Sequence, residues 1–116
     1  NSPRDALARL ETLVLMAGFD LPLRAIREQI ASAIHLVVQI TRERDGSRKV
    51  INISEITKME GDIITMQDIF TFRQTGWNAE NRIEGVFEPT GSLPTFMEEI
   101  ERAKLDLDVS IFSKKR

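Results

Sequence analysis

The residues that could do chemistry in this chain are few and stand apart. The sole histidine, His35, has no serine or cysteine nucleophile setting beside it, so a structural role at a helix-to-strand junction is expected. Arg42, Arg44, Arg48 and Lys49 bracket an Asp45-Gly46 turn. Four cations on one hairpin can grip phosphate or an acidic partner. Glu43 and Asp45 interrupt the cluster and no aromatic residue interleaves it, which favours a solvated hairpin tip. Glu98, Glu99 and Glu101 are neighbouring acids with nothing to pair them for acid–base work, and they read as a solvated helix face. Trp77, beside Gly76 and Asn78, is expected to anchor a loop on the core, with an exposed contact point as the alternative. No Gly-x-x-x-x-Gly-Lys-Ser/Thr loop, Gly-x-Ser-x-Gly elbow or zinc motif occurs. No catalytic residue and no metal site is therefore expected.

Asn1-Ser2-Pro3-Arg4-Asp5 is the remaining candidate. A helix N-terminus presents free N–H groups and a partial positive charge, and so it can face a phosphate. Read alone, the same residues make a good cap: Ser2 as the capping side chain, Pro3 at the first helical position, and Asp5 completing a Ser-x-x-Asp box. A chain that opens on a helix cap, without an initiator Met, is expected to be a piece of something larger.

The elements that must position these residues follow from hydrophobic period. Helix one is expected over Pro3 to Ala17, with Ala6, Leu7, Leu10, Leu13, Val14 and Ala17 on one face and Gly18 just past its end. Its second half, Leu13 to Ala17, is apolar on every side, the mark of a helix buried all round or covered by another subunit. Helix two is expected over Pro22 to Ala33, with Ile26 and Ile30 inward and Arg24, Arg27 and Glu28 mostly outward. Leu36 to Thr41 reads as a strand buried on both faces, because its start is almost continuously apolar. After the Asp45-Gly46 turn, Arg48 to Ile56 returns with Ile51 and Ile53 on one face and Asn52 and Ser54 on the other. Beyond Glu60-Gly61-Asp62, Ile63 to Arg73 completes a three-stranded antiparallel meander. Residues 74–92 read as a long Gly/Pro loop holding at most one short strand at Ile83 to Phe87. A third helix is expected from Pro94 to Lys104, then a short edge strand from Leu105 to Phe112 and a frayed tail, Ser113 to Arg116.

The totals bound the function. A length of 116 residues makes one domain at most. Hydrophobic residues at 41% and charged ones at 29% fit an ordinary globular chain. A net charge of −2 gives no global attraction to nucleic acid or acidic membranes. The absence of cysteine excludes disulfides and thiolate zinc sites and fits a cytoplasmic setting. No apolar run approaches the roughly 20 residues that span a bilayer. On these grounds alone the chain is an α+β binding module using the basic hairpin 42–49 or the Gly-rich loop.

Longer stretches carry a resemblance. Asn1 to Gly18, Arg24 to Ala33, Arg44 to Lys49, Glu60-Gly61-Asp62, Asp68 to Phe72 and Gly85 to Gly91 together resemble the C-terminal part of the type II/IV secretion ATPases. The branch they look most like is the CpaF-type ATPase of tight-adherence (Flp) pilus assembly. The resemblance implies an α/β fold class, the C-terminal portion of a RecA-like P-loop ATPase domain spanning all of residues 1–116. It implies a hexameric parent that uses ATP and Mg, works at the cytoplasmic face of the inner membrane, and contacts membrane platform proteins there. The family's His box reads His-Ala-Asn-Ser-Pro, and Asn1, Ser2 and Pro3 match its end. Asn1 and Ser2 are then nucleotide-proximal, and Arg4 and Arg9 are contacts for phosphate or a subunit interface. The family's phosphate-binding loop and acidic boxes have no counterpart in these residues, so no ATP binding by this segment alone is expected.

Overall fold

Ser2 opens the computed structural model, which describes residues 2–18 and 20–114; Asn1, Phe19 and the end of the expected tail lie outside the described residues. The Ser2 hydroxyl oxygen accepts from the Asp5 N–H at 3.1 Å, and α1 (Pro3–Met16) begins with proline in its first turn, as the capping pattern requires. Only Leu7 of α1 is buried, with Leu10 and Val14 packed beside it. Leu13, Leu15 and Met16 are exposed, so the described residues do not bury α1 all round, and the alternative, cover from outside these residues, stays open. α2 (Leu23–Ala33) buries Ile26 and Ile30, and its last residue leads through Ile34 and His35 into the sheet.

The sheet has four antiparallel strands in the order β1-β2-β3-β4, with β1 (Leu36–Arg42) and β4 (Ile83–Pro89) at its edges. The three expected strands form a meander, and the short strand expected over Ile83 to Phe87 joins it as β4. The expected long loop is largely sheet, because β3 (Ile63–Trp77) runs on past Arg73 and β4 pairs back along it. β4 takes its place through Gly85. A Cβ there would run into the Phe72 ring and the Arg73 carbonyl, so only glycine lets the two strands close.

β2 (Arg48–Glu60) and β3 are long, and their pairings are interrupted by register shifts. Gln39 pairs with Asn52 and Ile40 with Val50, which leaves Ile51 unmatched; the same reasoning leaves Thr57 on β2 and Ile69 on β3. These bulges re-aim side chains. Ile56, Ile64 and Met66 join Leu7, Ile26 and Ile30 in the first core, under α1 and α2. Ile69 and Phe70 face the second, with Met97, Ile100 and Phe112.

One expectation about the strands is corrected. β1 is an edge strand, and Leu36, Val38 and Ile40 are all exposed, because the helices cover only the other face there. In β2 the polar Asn52 and Ser54 are buried, as are Glu55 and Ile56, while Ile51 and Ile53 are half-buried. The burial of Asn52 and Ser54 is tolerable because Asn52 Nδ2 and Ser54 Oγ both donate to Asp68 Oδ1, at 2.9 and 2.6 Å.

α3 (Met97–Arg102) is shorter than expected, and the expected edge strand over Leu105 to Phe112 does not form. A 3-10 turn (Val109–Phe112) stands there instead, capped by Asp108, and drops Phe112 into the second core. Burial sets the expected cost of truncation. Ile26→Ala should lose about 2–5 kcal/mol, whereas Leu15→Ala on the exposed side should stay within about 0.5 kcal/mol. Urea midpoints of the two variants check this, and equal midpoints would contradict the assignment of the first core.

Candidate functional site

Three places gather polar residues, and the first is α1, which shapes two recesses. Ser2 and Arg9 meet on one side of the helix, where they line a recess of about 310 Å³ with Asp5, Gln39 and Thr41. Arg4 points to the opposite side, into a second recess shared with Glu11 and Arg27, and its Nη2 donates to the Ile64 carbonyl at 2.8 Å. The structure therefore brings Ser2 and Arg9 together and separates Arg4 from them. Asn1 lies outside the described residues.

Arg27 is the residue in this region that periodicity misplaces. It is not outward but a clamp: Nε donates to Glu11 Oε1 at 2.7 Å, and Nη1 donates to the Asp62 carbonyl at 3.0 Å. One guanidinium thus ties α1, α2 and the β2–β3 turn. The hydrogen bond that Arg27 donates to Glu11 raises the Arg27 pKa further above its ordinary value.

The second place is the end of the sheet where the 43–47 and 78–82 turns meet around a cleft of about 620 Å³, flanked by Arg44, Glu80 and Arg82. Asp45 organises it. Its carboxylate accepts from Ser47 Oγ and N–H at 2.5 and 2.8 Å and from the Ile83 N–H at 2.7 Å. The Ser47 hydroxyl, then the Ile83 and Ser47 amides, hold the Asp45 carboxyl well below the usual carboxylate range. Arg42 and Arg48 stand directly opposite each other across the hairpin. Trp77 is the last residue of β3, opposite Ile83, and is 46% exposed, so the expected loop anchor is corrected.

The third place is a groove of about 650 Å³ between α2 and α3, lined by His35, Leu36, Glu55, Thr95, Phe96 and Ile100 among others. Glu55 is 2% exposed. Its two carboxylate oxygens accept from the Thr95 N–H, Thr95 Oγ1 and Gln67 Nε2, at 3.0, 2.5 and 2.8 Å. The hydroxyls around the groove are also engaged: Ser32 donates to the Gln29 carbonyl and Thr57 Oγ1 bonds Thr65. His35 lies at the expected junction, exposed, and its carbonyl accepts from the Ile56 N–H. The groove thus holds a latch for the segment before α3 and no assembled nucleophile–base pair. Glu98, Glu99 and Glu101 are solvent-exposed as expected.

No place among the described residues has the donor set of a nucleotide site. The Ser2–Arg9 recess lacks a glycine-rich turn and a lysine, and no group of three His, Cys, Asp or Glu residues gathers to hold a metal ion. Among the described residues no helix is long and apolar enough to cross a membrane.

No protein-family model matches the chain. It is similar to two proteins from different strains of Mycobacterium tuberculosis, each provisionally named a conjugal transfer protein. Each is 30% identical over 63 residues, 54% of this chain. Those residues span 17% of either relative's length.

The Asp45 geometry predicts an acid-sensitive contact between the two turns. A depressed folded-state pKa contributes stability that is present above the unfolded value of about 4 and lost as pH falls below it. The Ile83 amide should therefore keep its hydrogen-exchange protection at neutral pH and lose it on acidification. In Asp45→Asn that protection should be lower at neutral pH and no longer fall with acid; an unchanged pH profile would contradict the role given to Asp45.

Proposed function

We propose that this chain is the C-terminal segment of a secretion-motor ATPase of the type II/IV class, in the branch that resembles the CpaF-type pilus-assembly ATPases. The observation that carries this reading is the agreement of two independent likenesses. The quoted stretches, from Asn1 to Gly91, resemble that class, and the 63-residue match is to proteins named for conjugal transfer. In this reading the RecA-like core that holds ATP and Mg is supplied by other residues of the parent. The segment supports subunit packing in a homo-hexamer that meets platform proteins at the cytoplasmic face of the inner membrane.

The geometry gives the segment a route for coupling. Ser2 stands at the positive end of α1, the place a phosphate-sensing box would reach. From there Arg4 bonds the β3 backbone and Glu11 bonds Arg27, which bonds the β2–β3 turn. A displacement of α1 is thus felt directly in the long hairpin. Arg9, exposed beside Ser2, is left to contact a phosphate or a neighbouring subunit.

A second reading, a free-standing module binding an acidic partner through hairpin 42–49, is favoured by one observation. Like charges directly opposed across strands are unfavourable, yet Arg42 and Arg48 face each other and neither makes an ion pair among the described residues. That reading predicts salt-sensitive binding that disappears when Arg42, Arg44 and Arg48 are changed together.

Calorimetric titration of the chain with Mg-ATP should give no saturable binding; micromolar binding would contradict the segment reading. In the full-length motor, Arg4→Ala should reduce hydrolysis or assembly. Unchanged rates would remove Arg4 from the coupling route.

A further inference from the structure

The two long helices share one core but are held to it by different means. α2 buries Ile26 and Ile30 among its 11 residues, and Arg27 and Arg24 reach from it to the Asp62 carbonyl and carboxylate at the β2–β3 turn. α1 buries only Leu7 among its 14 residues, with Leu10 and Val14 partly covered beside it. A recess of about 310 Å³ opens on either side of that row, one shared with Ile63 and Ile64 of β3, the other with Gln39, Ile40 and Thr41 of β1. Protein interiors are close-packed, and the lining of a gap loses dispersion contacts outright. The seat of α1 is therefore thinly packed.

Two polar links supplement it. Arg4 Nη2 donates to the Ile64 carbonyl at 2.8 Å, and the Glu11 side chain, 14% exposed, accepts from Arg27 at 2.7 Å. The second link is separable. If Glu11 withdraws, Arg27 keeps its bond to the Asp62 carbonyl, and α2 stays fastened to the turn. Just beyond α1 stands Gly18 at φ +86°, a permissive residue of the kind that absorbs the dihedral change of a hinge.

We propose that α1 is a releasable strap: it undocks as a unit about Gly18, with the Glu11–Arg27 pair as its catch, while α2 and the four-stranded sheet keep their structure. Undocking opens the first core beside Ile26, Ile30 and Ile64 and frees the Arg4 guanidinium. It also melts the strap, because a helix of 14 residues standing alone is marginal in water. The catch sets the balance, since removing one partner of a shielded ion pair leaves the other charge without compensation. This motion belongs to the chain itself and does not depend on the motor reading.

Native-state hydrogen exchange of the 116-residue chain, in urea below its unfolding midpoint, tests the proposal. Amides from Leu7 to Met16 should exchange through one common opening, roughly tenfold or more faster than those of β2 and β3. Their urea dependence should be smaller, because undocking exposes less surface than unfolding. Arg27→Met should speed α1 exchange by roughly another tenfold or more without steepening that dependence. Glu11→Gln, which keeps a hydrogen-bond acceptor and loses the charge, should act in the same direction more weakly, and it decides the matter should Arg27→Met fail to fold. Exchange of α1 at the rate and urea dependence of β2 and β3 would overturn the proposal. Rates graded inward from the helix ends, which mark fraying, would overturn it too, as would α1 exchange indifferent to either variant that folds.

Discussion

The β2–β3 hairpin is the constraint on which the rest of the molecule depends. Strands of 13 and 15 residues give it a spine on which both cores hang. One face receives α1 and α2, and the other receives α3 and the 3-10 turn. A regular hairpin of that length would present a strict alternation. The bulges at Thr57 and Ile69 break it, so that Ile56 and Ile64 serve the first core while Ile69 and Phe70 serve the second. Apolar burial holds each core together, but the division between the cores is set by backbone register.

Polar side chains then fix elements distant in sequence to this spine. Arg27 ties two helices to the β2–β3 turn, Glu55 ties the segment before α3 to β2 and β3, and Asp45 ties the first hairpin to the start of β4. Each is a charged group whose partners are chiefly backbone amides, carbonyls or short side chains, so geometry and charge act together. The apolar side of α1 and the edge of β1 are left exposed among the described residues.

Local chemistry made several elements legible in the sequence. The Ser2 cap, the Asp45-Gly46 hairpin and the start of β3 depend on neighbours within a few residues, and they appear where expected. Longer-range consequences were not legible. β3 reads as ending near Arg73 because Gln74, Thr75 and Gly76 bring no apolar alternation, and the β3–β4 register shifts there. Gly85, read as loop punctuation, is the residue that lets β4 pair. Arg27 sits at an outward helical position and becomes inward only because Glu11 and the Asp62 carbonyl meet it. Glu55 is a buried acid made tolerable by Gln67, 12 residues later, and Thr95, 40 residues later. The functional reading came chiefly from the resemblance, since no residue spacing in the chain assembles a catalytic centre.

The proposed function places the ATP chemistry in residues of a longer parent that lie outside these 116. Sequencing the gene upstream of the codon for Asn1 tests it most directly. The account predicts an open frame that encodes a Gly-x-x-x-x-Gly-Lys-Ser/Thr loop and places a His-Ala pair immediately before Asn1. A start codon or a stop codon at that point, or an open frame without the phosphate loop, would contradict it.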